Sequence, residues 1–184
     1  MAKRLLRAAC AAAILMGTTL RPARGSEPPP APGKPFQLAL FAPAQIVAPA
    51  EGVSGVAIDL LYGRNAFLRG IELGLVNDVR GDALGVQWGL VNLTEGDHVG
   101  LQDALLVSIT HGRVEGLQTG LVTIAGRTSG FQLGLVNHAD AARGLQLGLV
   151  NHAGTMNGLQ IGLVNIIEQG GWLPVCVLVN GAFP

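Results

Sequence analysis

Gly144-Leu145-Gln146-Leu147-Gly148-Leu149-Val150-Asn151 is followed by Gly158-Leu159-Gln160-Ile161-Gly162-Leu163-Val164-Asn165, which repeats it at a distance of 14 residues. Working outward from this pair, looser copies open at Gly55, Gly70, Gly85, Gly100, Gly116 and Gly130, spaced 14 to 16 residues apart. Such a period is too short for a helix-pair repeat, so the chain is an array of smaller units. Within each octapeptide apolar and polar residues alternate, and Leu and Val dominate. That pattern predicts one strand per repeat, with the small polar stretch after it, such as 152–157, forming a turn.

One strand and one turn per repeat allow two topologies. In a parallel solenoid each repeat is a coil, and equivalent residues stack at about 4.8 Å. In an antiparallel meander they do not align. Gln recurs at the third position as Gln87, Gln102, Gln118, Gln132, Gln146 and Gln160, and Asn at the eighth as Asn77, Asn92, Asn137, Asn151 and Asn165. Amides stacked in register hydrogen-bond to their own copies, so only the parallel stack rewards this sameness. The fifth position, Gly74, Gly89, Gly120, Gly134, Gly148 and Gly162, admits no bulky side chain. The expected fold is therefore all-β, a short-coil parallel β-solenoid of 14–16-residue repeats, with an antiparallel meander or β-barrel as the alternative. The fourth coil departs from the pattern, with Asp103, Ala104 and Val107 where apolar, Gly and Asn are preferred.

Side-chain parity leaves a conflict. The equivalents of Leu147 include Trp88, Asp103 and Thr119, which read as exposed; those of Leu149 are leucine in every aligned copy and read as buried. A straight strand cannot satisfy both, whereas a bend at the recurrent glycine can. Without burial the chain would show an apolar stripe, the mark of a partner surface.

The flanks suggest an exported protein. Residues 1–25, with Lys3, Arg4 and Arg7 before a short apolar run and small residues near Gly25, read as a signal peptide. Residues 26–35 form a Pro-rich disordered lead-in, 36–54 an N-terminal cap, 55–169 the repeat array, and 170–184 a closing cap in which Pro174 guards an edge. Removing the signal leaves seven basic against twelve acidic residues, a poor partner for nucleic acid. Only Cys176 would remain, so no internal disulfide can form, and its apolar neighbours suggest a buried small hydrophobe.

No catalytic, cofactor or metal residues are expected. His138 and His152 stand one coil apart and should approach to about 5 Å, but two ligands with only Asp140 nearby make a poor metal site. His98 and His111 read as solvated turn residues. The sequence shows no nucleophile elbow, metalloprotease helix or phosphate loop.

These repeats, with the entry segment G-x-x-x-x-L-L-Y-G-x-N at 55–65, resemble an exported bacterial surface-repeat family carrying tandem G-L-Q-x-G-L-V-N units. The resemblance spans residues 36–183 and implies a cell-surface address with no catalytic residues to carry over. The expectation is thus a non-enzymatic structural, adhesion or interaction scaffold at the bacterial surface, outer membrane or periplasm. Its partner would be an unknown protein or cell-envelope component, or a second copy. The alternatives are an outer-membrane β-barrel and a carbohydrate-binding or carbohydrate-active solenoid.

Overall fold

A computed structural model describes residues 32–183; the expected signal peptide and most of the lead-in lie outside the described residues. Ten strands follow in chain order: β1 Lys34–Phe41, β2 Ala44–Gln45, β3 Val53–Asn65, β4 Leu68–Val79, β5 Ala83–Thr94, β6 His98–Thr119, β7 Val122–Leu133, β8 Val136–Leu147, β9 Val150–Gln169 and β10 Val175–Ala182. From β3 to β9 each strand pairs with the next in parallel, and their spatial order is their chain order. This is the parallel β-solenoid. The meander is excluded by the pairing direction. The barrel, and with it the outer-membrane barrel, is excluded because the sheet order is open, ending at β10 and β2.

Like stacks on like. Gly130 pairs with Gly144 and Gly144 with Gly158; Gln132, Gln146 and Gln160 align in the same way. The opening glycine of each coil is obligatory for two reasons, seen at Gly144. Its φ is +115°, and a Cβ there would lie 2.1 Å from the Gly130 carbonyl oxygen. The same backbone recurs at every repeat-opening glycine from Gly55 to Gly158. The fifth-position glycine is required by proximity alone: a Cβ on Gly148 would stand 2.3 Å from the Gly134 oxygen.

The anticipated bend is present. In the later coils strands stop at Thr119, Leu133 and Leu147 and resume at Val122, Val136 and Val150, turning at the Gly-Leu pair between. The bend does not bury the sixth-position leucines, however: Leu149 is 48% and Leu163 57% exposed. It flips parity so that Leu145, Leu147 and Leu149 all stay outside while Gln146 and Asn151 both point in. Leucines therefore do not form the core, which is the reverse of what their repetition suggested.

The irregular coil is regular inside. Its extra residue is taken up at Leu105 and Leu106, so Val107 pairs with Val91 and Ser108, not Val107, occupies the Asn place. A similar shift falls between Asp59 and Tyr62 in the first full coil. At the N-terminal end β1 joins the register, with Gln37 beside Ala57. At the other end β10 runs antiparallel to β9 and closes the stack, with Pro174 just before it.

Candidate functional site

The interior is built of amides. Gln102 Nε2 donates to Gln87 Oε1 at 3.0 Å, and the chain of donations continues through Gln118, Gln132 and Gln146 to Gln160 at 2.7–2.9 Å. All six side chains are buried. A second column runs through Asn77 and Asn92, which bond at 2.7 Å, then Ser108 and Thr123, and then Asn137, Asn151 and Asn165, linked at 2.8 Å. Thr123 Oγ1 donates to Asn137 Oδ1 at 2.7 Å, so a hydroxyl substitutes for an amide without breaking the lower column. Ser108 was missed in the sequence because position was counted from Gly100 across the bulge, and Thr123, at the eighth place from Gly116, because it is a hydroxyl where the pattern has an amide. Alanines such as Ala125, Ala139 and Ala153 fill the remaining interior. The amide columns are scaffold, since every donor is committed to a neighbour.

Two ionisable groups interrupt this interior. Glu72 heads the Gln column, accepting from Asn65 Nδ2 at 2.8 Å and Gln87 Nε2 at 2.7 Å, with the Asp59 carboxyl near enough to act on its charge. Both Asp59 oxygens are buried without a hydrogen-bond partner among the described residues. Burial, then the neighbouring acid, pushes Glu72 up to about 8, and burial raises Asp59. His98 corrects another expectation. It is wholly buried, not solvated, and desolvation lowers its pKa to about 4. Its neighbours in the column are Ala83 and, one coil on, Val114, so the ring stands in an apolar lane.

His138 and His152 stack as expected, their ring centroids 4.8 Å apart and their planes 17° from parallel. Their Nδ1 atoms lie 2.9 Å from each other, sharing one hydrogen, while Asp140 and Glu168 sit on the opposite Nε2 side. Nearly parallel rings cannot both aim in-plane lone pairs at one ion, and among the described residues no set of three His, Cys, Asp or Glu could hold a metal. Cys176 is half-buried at the closing strand, more accessible than its apolar neighbours implied.

The exterior is where the molecule differs from a water-facing rod. Three columns of apolar side chains stand outside: the second position, with Ile71 and Phe131; the fourth, with Trp88 and Leu147; and the sixth, with Leu75, Leu121, Leu135 and Leu149. β1 extends them with Phe36, Leu38 and Leu40, and β10 with Val175, Val177 and Val179. Charge is segregated from this surface. Between Gly85 and Gln169 every Asp, Glu and Arg except Asp103 lies outside the octapeptides, in the segments that link one to the next and form a polar ridge along the rod. On the ridge Arg80 pairs with Glu95 and Arg113 with Glu115. An open groove of about 340 Å³ lies there, lined by Arg113, Arg127, Arg143, Ser129, Thr155 and Asn157 among others. Arg127 and Arg143 have no ion pair among the described residues.

Compared with family models, with curated proteins and with solved structures, the chain finds no match.

Proposed function

We propose that the chain is an exported, non-enzymatic interaction scaffold of the bacterial cell envelope, with its leucine-bearing face as the docking surface. The observation that carries this reading is the row of exposed leucines at one position in successive coils. Repetition of an outward residue serves no purpose in the core, and contiguous apolar surface on this scale usually marks a contact. The amide interior supports it by supplying rigidity without using the exterior. The signal-like start and the resemblance of the repeats support the address.

The test is cell fractionation of the source bacterium with an antibody to the chain. The expected result is recovery with the envelope or medium, with the mature chain lacking residues 1–25. Recovery solely from the cytoplasm ends the exported reading. A polysaccharide-binding role instead predicts retention on glycan columns that Trp88→Ala abolishes.

A further inference from the structure

We propose that the groove on the charged ridge binds the phosphate group of a small phosphorylated sugar between Arg127 and Arg143. The site is separate from the leucine face and stands whether or not that face docks a partner.

Pairing comes first. Among the described residues the other lysine and arginine side chains are all engaged. Lys34 meets Glu51, Arg64 meets Asp78, Arg80 meets Asp78 and Glu95, Arg113 meets Glu115, and Arg69 lies over the Phe67 ring. Arg127 and Arg143 have no such partner, and both line one groove. From residue 26 onward seven basic residues face twelve acidic ones, so a shortage of acids does not account for two free arginines in one place.

The repeat shows how they are left free. Arg113 and Arg127 pair in register, as do Glu115 and Ser129. At Arg113 the acid two residues on closes an ion pair at 2.7 Å; at Arg127 the same place holds Ser129, which closes none. One coil further the places exchange, with Ala141 in the arginine's column and Arg143 in the serine's. Glu115 shares that column but lies two rungs from Arg143, about 10 Å away, and is held by Arg113. Asp140, the acid nearest Arg143 along the chain, stands 3.6 Å from His138 Nε2. No acid lines the groove.

Geometry then selects the ligand. Arg143 is one rung from Arg127, about 4.8 Å, and two residues further along the strand, about 6.6 Å, so their Cα atoms stand roughly 8 Å apart on the diagonal. Side chains of that length can close on one anion from two sides. A single guanidinium fills both oxygens of a carboxylate, whereas a phosphomonoester offers three oxygens and a charge of about −1.5 to −2, which matches the two arginines. Between these arms the floor is small, made by Ala141 and Ala142, and Thr155 and Asn157 lie on the next rung. The groove's volume of about 340 Å³ exceeds a phosphate and reaches the lower end of small-ligand sites, about 300–1,000 Å³, leaving room for a sugar ring. Ser129, Thr155 and Asn157 offer it two hydroxyls and an amide. Every lining residue lies on β6 to β9, whose register is fixed, so the groove is formed before a ligand arrives.

The experiment is titration calorimetry of the full mature chain with glucose 6-phosphate, inorganic phosphate, glucuronate and glucose. Glucose 6-phosphate is expected to bind about tenfold more tightly than inorganic phosphate and more tightly than glucuronate, while glucose gives no heat. Arg127→Gln and Arg143→Gln should each weaken binding roughly tenfold, and about a hundredfold together. Ser129→Glu, which copies the Arg113–Glu115 arrangement at Arg127, should weaken it at least as much as Arg127→Gln. Arg80→Gln, which removes a cation already paired with Glu95, should leave it within about twofold. Arg127 and Arg143 are exposed, and unchanged circular dichroism and melting would confirm that the variants fold.

Four results overturn the proposal. Silence with both phosphates means that the groove holds no oxyanion. Binding that Arg80→Gln weakens as much as Arg143→Gln is general attraction to cations and not a site. Glucose 6-phosphate that binds no more tightly than inorganic phosphate removes the sugar, and glucuronate that binds as tightly as glucose 6-phosphate removes the phosphate. None of these results bears on the leucine face or on the cellular address, which fractionation decides separately.

Discussion

The first two full coils, Gly55 to Leu84, and the last three, Gly130 to Gln169, share a fold but solve the interior differently. In the last three, identical amides meet: Gln146 and Gln160 each donate to the copy before, Asn137 and Asn151 each to the copy after. In the first two, the Gln column begins with Glu72 and the glycine column with Asp59, so two acids replace an amide and a void. Tyr62 and Arg64 add a local network through Asp78, with the Tyr62 hydroxyl donating at 2.6 Å. Sameness leaves the amide columns of the late coils with nothing to titrate, whereas the interior of the early coils holds two buried acids.

The comparison breaks most sharply at the backbone. Gly144→Val should cost about 4 kcal/mol or more, because its φ of +115° and the Gly130 oxygen both forbid a side chain. Gly170→Ala, where a Cβ meets nothing within 4 Å, should cost about 1–2 kcal/mol from its φ of +77° alone. Chemical denaturation of both variants checks the contrast.

Next in size is Gln146→Leu, expected to destabilise by about 3 kcal/mol, since Gln132 Oε1 loses its donor and Gln160 Nε2 its acceptor. In the early coils the corresponding change runs the other way. Glu72 holds its proton more tightly folded than unfolded, so its contribution is present below about pH 4.5 and fades as pH rises toward 8. Glu72→Gln should therefore stabilise at pH 8.5 by on the order of 2 kcal/mol, and flatten the melting temperature between pH 5 and 8. A variant that melts with the parent's pH profile would place the titrating group elsewhere.

His98 has the opposite sign. Its folded pKa lies below its unfolded one, so stability present above about 6.5 is lost as pH falls toward 4. His98→Leu should raise stability at pH 4.5 by about 1 kcal/mol and change little at pH 7.5, as melts at the two values would show. The smallest effect belongs to the exterior: Leu149→Asn should leave folding within about 0.5 kcal/mol, while removing apolar contact area from the face.

Topology was legible because Gln at one position in six consecutive coils has a physical reason only in a parallel, in-register stack. The ladders, the bend and the closing strand follow from that single inference. Orientation was not legible. A leucine retained in every copy ordinarily signals a core, and nothing in the local pattern shows that the bend turns Asn151 inward while Leu147 and Leu149 both face out. His98 was misjudged because Glu95 and Asp97 beside it suggested a solvated turn, while alternation within the turn points every second side chain inward. The Ser108 place was hidden by a one-residue bulge that shifts counting but not chemistry, and Thr123 by being a hydroxyl in an amide's place. The ridge arginines carried no motif, since Arg127 and Arg143 converge only when coils are laid above one another.

The direct stacking of Gly130 on Gly144 and of Gly144 on Gly158 makes the rod a ruler. Excising residues 130–143 would join Ser129 to Gly144 and give each surviving side chain a neighbour equivalent to the one it lost. Overall length would shorten by a single graduation of about 4.8 Å. Length is thus quantised in units of the repeat, and a gene that gains or drops one unit resizes the protein without redesigning it.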